Sequence, residues 1–300
     1  MLRKRMGWAV LMVLGLLCAC EKVNLGADPD GPTEVKDGVR VRFCVDKFEQ
    51  VPFDTPSADS RASVNISDIC SRLSYAFFRT DGSLYVAKHQ TAEEAGFGSL
   101  DISLPQDTYR VVVIAHSGSG TPTFAAADSI RFKDNKLTDT FFGSQVITVA
   151  QGNTYNLSLK RAVAKFRLVV DDAMPAEVKQ MRFYYTGGSS TLNAISGYGR
   201  VNSRQTELRE VTADRVGKAS QFEVYSFPHS EKDTLKMEVT ALDAAGATLY
   251  QKTFTEVPIQ RNMITQYKGS FFGSSSGEGD GSITIDLIVD DEWTEMDFCY

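Results

Sequence analysis

Apolar and polar residues alternate along most of the chain from Val39 onward. In VRVRFCV, every second residue from Val39 to Val45 is apolar, while Arg40 and Arg42 fall on the opposite face. The same period of two returns in TLKMEVTALD, residues 234–243. Alternation of this kind is typical of a β-strand with one face in a core and the other in water. The pattern therefore predicts strands rather than helices.

Turn signals join several of these segments into hairpins. RTDG at residues 79–82 and QGN at 151–153 each separate two strand-like stretches, and DAAG at 243–246 lies between two more. Short turns rich in Gly, Asp and Asn between alternating segments are typical of antiparallel hairpins. We expect residues 91–99 and 118–140 to contain loops and short helical turns.

Two further stretches indicate how the strands are buried. TYRVVVIAH, residues 108–116, is apolar almost without interruption, which predicts a central strand covered on both faces. RAVAKFRLVV, residues 161–170, instead alternates apolar residues facing inward with three basic residues facing outward, namely Arg161, Lys165 and Arg167.

Short strands at roughly ten-residue spacing, without a strong helical period, predict an all-β fold of antiparallel β-sandwiches. The length of the chain suits two of them. We expect an N-terminal sandwich over residues 39–160 and a C-terminal sandwich over residues 161–300, dividing near Lys160.

The first residues have the pattern of an export signal. Three basic residues at positions 3–5 precede an apolar run over residues 6–17. This run is shorter than the roughly 20 residues of a membrane-spanning helix, so it indicates a cleaved signal rather than an anchor helix.

The residues before Cys20 match the signal of a lipoprotein. Such a signal needs an aliphatic residue at −3 and a small residue at −1, which Leu17 and Ala19 supply. Cys18 fails the same test, because Leu17 is too large for −1. We predict that residues 1–19 are a signal peptide, that Cys20 carries the lipid, and that residues 20–38 form a flexible tether. An ordinary secretory signal with incidental cysteines is the alternative.

Composition narrows the choice of partners. The chain of 300 residues has a formal charge of −6, and loss of three basic residues with the signal makes it −9. An acidic exported chain is a poor match for nucleic acid, whose binding depends on Lys and Arg. Cys44, Cys70 and Cys299 form no C-x-x-C pair, so neither a zinc site nor a disulfide framework is indicated. One disulfide or buried free thiols both remain open.

No arrangement of residues indicates catalysis. His89, His116 and His229 are far apart, and we expect each on the surface or in a loop. AHSGSG, residues 115–120, lacks the spacing of a nucleophile elbow. The acids Asp171 and Asp172 are expected to be solvated turn residues. We therefore expect no catalytic residue, no metal, no cofactor and no enzyme activity.

Several segments, in order along the chain, resemble one protein family. LPQDTYRVVVIAH resembles a strand of transthyretin-like sandwiches, and residues 137–170 resemble the domain boundary of FimB-type fimbrial anchor subunits of Bacteroides-like bacteria. Residues 257–272 resemble that family's R-N-x-h-T-x-h-x-G-x-h-F strand, and ITIDLIVDDEW resembles its final strand. The matching positions of the third segment are Arg261, Asn262, Thr265 and Gly269.

The resemblance implies an outer-membrane lipoprotein with two transthyretin-like sandwiches in tandem. Members of the family hold a fimbrium at its base, face the cell exterior and influence the length of the polymer. Their partners are fimbrial stalk subunits, which are thought to join by β-strand exchange.

In stalk relatives, a trypsin-like protease cuts after an arginine and releases the first strand together with the lipid. Arg61 in ADSRAS is the one plausible processing site here. We expect it to remain uncut, so that the lipid on Cys20 is retained.

Two alternatives stay open. A stalk or tip fimbrillin shares the same sequence features. A surface glycan-binding lipoprotein of a polysaccharide-uptake system shares the lipid, the sandwiches and the acidic charge, and it should display exposed aromatic residues on one face.

Overall fold

The computed structural model describes residues 38–49, 66–273, 283–289 and 296–298 of the chain. Strands dominate these ranges, and the only helical pieces among them are one short helix, α1 (Ile66–Ile69), and two single 3-10 turns, Lys133–Asn135 and Ala213–Arg215. The strands are β1 (Val39–Glu49), β2 (Arg72–Arg79), β3 (Leu84–Thr91), β4 (Ser99–Leu104), β5 (Asp107–His116), β6 (Thr123–Ala126), β7 (Ser129–Arg131), β8 (Thr140–Val149), β9 (Thr154–Arg161), β10 (Ala164–Val170), β11 (Gln180–Thr186), β12 (Thr191–Asn193), β13 (Tyr198–Gly199), β14 (Arg204–Glu210), β15 (Ser220–Ser226), β16 (Asp233–Leu242), β17 (Thr248–Ile259), β18 (Met263–Gly269), β19 (Ile283–Val289) and β20 (Met296–Phe298).

The first sheet has seven strands in the order β3-β2-β5-β8-β9-β1-β4. Buried apolar side chains from all seven strands meet in one core, so the sheet is folded over on itself. Phe43 lies in this core with its ring centroid 5.1 Å from that of Phe77 and 5.2 Å from that of Tyr155. The period of two read in VRVRFCV is confirmed, because Val41, Phe43 and Val45 are buried.

Two further sheets pack face to face in the second half of the chain. Their orders are β15-β10-β18-β19-β20 and β14-β11-β16-β17. Their core contains a cluster of aromatic rings in which Phe166 lies 5.9 Å from Phe254 and 5.6 Å from Tyr267, measured between centroids. The predicted inward face of β16 is confirmed, since alternate residues from Leu235 to Ala241 are buried.

A fourth sheet, β13-β12-β7-β6, combines strands from both halves of the chain. Ile130 of β7 pairs with Leu192 of β12, and a third core lies beside this sheet. Phe132 and Phe227, from opposite halves, approach to 5.7 Å between ring centroids in that core. The other face of β2 and β5 packs here, which explains why both strands are buried on two faces.

The predicted all-β fold of antiparallel sandwiches is confirmed, and its details differ in three places. Residues 118–140 contain the strands β6 and β7 in addition to a helical turn, and β14 forms in RQTELRE, which lacks the alternation of apolar and polar residues. The strands on either side of QGN pair only at their far ends, Phe141 with Arg161 and Phe142 with Lys160. The division of the chain near Lys160 stays a prediction.

Candidate functional site

Cys20, the predicted lipid site, and Arg61, the candidate processing site, lie outside the described residues, as does Cys299. The structure does describe β1, the strand that lies between Cys20 and Arg61 in the chain. β1 follows the predicted tether and precedes Arg61 in the chain, so it is the segment that a cut after Arg61 would remove together with the lipid.

β1 is held on both sides within its sheet. It pairs in parallel with β9, from Arg42 opposite Thr154 to Glu49 opposite Lys160, and antiparallel with β4. Its apolar face lies in the first core. Removing this strand would uncover the backbone N–H and C=O groups of both neighbours and an apolar groove between them. β1 is therefore the candidate functional element of the N-terminal half.

The arginines of β1 are placed on its exposed face. The Arg42 guanidinium donates to both carboxylate oxygens of Asp101 on β4, at 2.9 and 2.6 Å. These hydrogen bonds and the charge of Asp101 raise the pKa of Arg42, and the hydrogen bond from Arg42 lowers the pKa of Asp101. The prediction that Arg40 and Arg42 lie within a strand is confirmed. At Arg42 the strand is paired on both edges, so its backbone is unsuited to the extended binding groove of a protease.

The second half of the chain repeats this arrangement. β10 lies between a parallel neighbour, β18, and an antiparallel neighbour, β15. Sequence reasoning missed both parallel pairs. Their partners are separated by about a hundred residues, and alternation alone carries no information about the direction of a distant partner.

A buried polar contact joins the two halves beside β10. Arg161 donates to both carboxylate oxygens of Asp139 at 2.7 Å, and its Nη1 donates to Oδ1 of Asn262 at 2.5 Å. The guanidinium also lies 4.7 Å from the ring centroid of Phe141. The backbone N–H of Asn262 donates to the carbonyl of Val163 at 2.9 Å, which fixes the start of β10 against the turn before β18.

The residues that carried the family resemblance in the turn before β18, and Thr265 within β18, have structural roles. Asn262 has a φ of 60°, a left-handed conformation in which Asn is enriched. The Arg261 guanidinium lies 4.1 Å from the ring centroid of Tyr198 and donates to its hydroxyl at 3.1 Å. Thr265 is fully buried and donates to the carbonyl of Pro258. The motif therefore marks a packed junction.

The expectation that Arg161, Lys165 and Arg167 point into solvent is wrong. All three are buried, at 2%, 2% and 7% exposure: Arg161 at the end of β9, and Lys165 and Arg167 on the second face of β10, which is covered as well. Glu223 on β15 contacts two of them, with Lys165 Nζ at 3.4 Å and Arg167 Nε at 2.8 Å. Burial of these charges is sustained by ion pairing rather than by water.

The expectation for the histidines is wrong for His116. It ends the central strand β5, is 3% exposed and packs edge-on to Phe132 at 5.5 Å. Its Nδ1 accepts from the N–H of Gly118 at 3.0 Å. Burial, with smaller contributions from Arg72 and His89, lowers the pKa of His116 to about 4. The ring is therefore neutral at ordinary pH.

His89 is exposed on β3, and His229 lies in the turn after β15. Both positions agree with the expectation of a surface or loop residue. The Nδ1 of His229 lies 2.9 Å from a carboxylate oxygen of Asp233.

Asp172 also differs from the expected solvated turn acid. Its carboxylate accepts hydrogen bonds from the Ser270 hydroxyl at 2.9 Å and from the N–H groups of Phe271 and Phe272 at 3.0 and 2.6 Å. Burial opposes its ionisation, but these hydrogen bonds outweigh that effect and lower the pKa of Asp172. Its neighbour Asp171 is exposed, as expected.

The cysteines within the described residues are free thiols. Cys70 is 2% exposed, and burial raises its pKa to about 12. Cys44 is half-buried on β1. Across the described ranges, no three or more His, Cys, Asp or Glu side chains are grouped so as to hold a metal ion. No helix in the same part of the chain is long and apolar enough to cross a membrane.

Comparison with models of protein families assigns the chain to one family. A model described as a family of unknown function, DUF6562, matches residues 32–298. The chain belongs to this family. The match begins within the predicted tether and runs through all twenty strands. No curated protein matches the chain.

Solved structures from Porphyromonas and Bacteroides species are similar to this chain over most of their length. The fimbrial anchor protein Mfa2 from Porphyromonas gingivalis has 10% identity and a TM-score of 0.45, with 87% of this chain and 100% of that chain covered. A candidate adhesin from Bacteroides ovatus has 12% identity and a TM-score of 0.48, with 86% and 95% covered. A candidate polysaccharide-binding protein from Bacteroides thetaiotaomicron has 9% identity and a TM-score of 0.46, with 85% and 99% covered.

Proposed function

We propose that this chain is the lipid-anchored base subunit of a fimbrium on the cell outer membrane. In this role Cys20 carries the lipid, residues 20–38 span the distance to the folded part, and β1 joins the tether to the first core. The protein contacts stalk subunits by strand pairing and performs no catalytic step. The ordered resemblance in the sequence supports this role.

The observation that carries the proposal is the placement of β1. It is the first described strand, it lies between the predicted lipid site and Arg61, and it is paired with β4 on one side and β9 on the other. A pull on the lipid is therefore transmitted to a strand with two rows of backbone hydrogen bonds.

Whether β1 is kept or removed distinguishes an anchor from a stalk subunit. A chain that keeps β1 has its own groove filled, so it can attach to a neighbour by donating a strand but cannot accept one in that position. A polymer ends at such a subunit. We propose that this is how the chain holds the base of the fimbrium and limits its length.

The test is the N-terminus of the protein in outer-membrane fractions. Mass spectrometry is expected to find a lipid-modified Cys20 and an intact Arg61–Ala62 bond. An N-terminus at Ala62 would instead assign the chain to the stalk or tip.

A pair of variants tests the role of the lipid in the cell. Cys20→Ser is expected to release the protein, and any fimbriae bound to it, into the medium. Cys18→Ser is the matched control, because Cys18 leaves with the signal peptide. Equal surface retention of the two variants would contradict the proposal.

A further inference from the structure

The outer face of the sheet β14-β11-β16-β17 contains a shallow cleft. It has a volume of about 370 Å³ and is lined by Tyr184, Thr186, Arg204, Lys236 and Glu238. These residues alternate along their strands with the buried residues of the C-terminal core, such as Tyr185 and Met237, so the cleft opens on the side away from that core. None of these lining residues belongs to β1 or to the contact of Arg161 with Asn262.

The strand register places one basic residue on each side of Thr186. Thr186 of β11 pairs with Arg204 of β14 and with Lys236 of β16, so the three form a row across the sheet. Within the described part of the chain, neither Arg204 nor Lys236 has an acidic side chain within ion-pair distance. Glu238 lies in the neighbouring row, and its carboxylate is 3.5 Å from the guanidinium of Arg182.

The chain is acidic overall, with a formal charge of −6, yet this row holds two exposed cations that lack, among the described residues, the kind of ion pair that Arg42 forms with Asp101. Like charges across a sheet repel, whereas an anion placed between them is attracted by both. The row Arg204–Thr186–Lys236 is therefore a receptor for a negative group, with the threonine hydroxyl as an additional hydrogen-bond partner.

The next row supplies groups of a different kind. Tyr184 pairs with Thr206 on one side and with Glu238 on the other. A tyrosine offers an apolar ring with a polar tip, and a carboxylate accepts hydrogen bonds from hydroxyl groups. A ligand that fits both rows carries an anionic group together with a hydroxyl-rich body.

We infer that this cleft binds an acidic carbohydrate, a sugar unit with a carboxylate or sulfate group. The anionic group lies between Arg204 and Lys236, the sugar ring packs against Tyr184, and Glu238 accepts hydrogen bonds from its hydroxyls. The volume is at the small end of ligand clefts, which span about 300 to 1,000 Å³, and suits one or two sugar units. A peptide strand is disfavoured, because β11 and β16 are inner strands whose backbone groups are already paired.

The test is isothermal titration calorimetry on the full chain in detergent. The probes are a trigalacturonate, a sulfated heparin disaccharide, neutral maltotriose and inorganic sulfate. We expect at least one acidic saccharide to bind, with maltotriose and sulfate at least tenfold weaker. The Arg204→Gln/Lys236→Gln double variant is expected to lose at least tenfold in affinity, and Tyr184→Ser at least threefold.

A matched control removes the same charge elsewhere. The Lys88→Gln/Lys133→Gln double variant alters two exposed lysines in the N-terminal half, and its affinity is expected to stay within twofold of that of the original chain. Circular dichroism of each variant establishes that it is folded. The inference is overturned if neither acidic saccharide binds at millimolar concentration, if sulfate binds as well as the saccharides, or if the control loses as much affinity as the cleft variant.

Discussion

Arg161 and Asn262 are 101 positions apart in the chain, yet Nη1 of Arg161 donates to Oδ1 of Asn262 at 2.5 Å inside the protein. The same guanidinium is paired with Asp139, so one buried side chain connects the end of the first sheet to the turn that begins β18. This contact gives a physical reason for the basic residue at the boundary between the two halves.

Replacing Arg161 with methionine is expected to lower the free energy of unfolding by about 3 kcal/mol, because it leaves the Asp139 carboxylate without its buried partner. Urea unfolding followed by circular dichroism measures the change. Arg42→Met is the control, since its ion pair with Asp101 is exposed and such pairs contribute about 1 kcal/mol or less. Equal losses in the two variants would show that the Arg161 contact is no stronger than a surface pair.

His116 should make the protein sensitive to mild acid. Its folded pKa is about 4, below the ordinary value of 6.5, so between these values the unfolded chain binds more protons at this ring. The free energy of unfolding therefore falls as the pH is lowered from about 6.5 to about 4, by about 3 kcal/mol from this group. Unfolding curves recorded across this range measure it.

His116→Gln is expected to flatten that part of the pH profile. His89→Gln changes an exposed ring that makes only the smallest contribution to the lowered pKa of His116, so it should leave most of the slope in place. An unchanged slope in His116→Gln would assign the acid sensitivity to other groups.

Asp172 should stabilise the segment that follows β18. Replacing it with alanine removes the acceptor for Ser270, Phe271 and Phe272 and is expected to lower the free energy of unfolding by about 2 kcal/mol at pH 7. Because the folded pKa is lowered, this contribution is present above the ordinary value of 3.8 and is lost as the pH falls below it. Asp171→Ala, at the exposed neighbouring position, should change the stability by less than about 0.5 kcal/mol.

The thiols should differ in reactivity. Since burial raises the pKa of Cys70 to about 12, only about one in ten thousand of its thiols is ionised at pH 8, and the side chain is enclosed. Iodoacetamide at pH 8, followed by peptide mapping, is expected to label Cys44 in the folded protein and Cys70 only after unfolding in urea. Labelling of Cys70 at the rate of Cys44 in the folded state would show that the core around α1 opens readily.

The strands of this protein could be read from local pattern, because alternation reports directly which face of a strand is buried. β1, β5 and β16 are examples, and the predicted faces of β1 and β16 are the buried ones. β14 was missed because its sequence RQTELRE is polar almost throughout. This strand lies at the edge of its sheet, and Glu207 is its only buried residue.

The burial of individual polar residues could not be read in this way. His116 and Arg167 occupy positions where a local pattern predicts solvent, and a second packed layer excludes water from them. Such a layer is formed by segments distant in the chain, so no window of sequence contains the information.

The sequence by itself determined the all-β character and the alternating faces of the strands, and it predicts an export signal with a lipid cysteine, since each of these depends on neighbouring residues. Only the tertiary structure decided the parallel pairing of β1 with β9 and of β10 with β18, the shared core of Phe132 and Phe227, and the cleft around Thr186. These features depend on register and packing between strands far apart in the chain, and local periodicity contains no record of either.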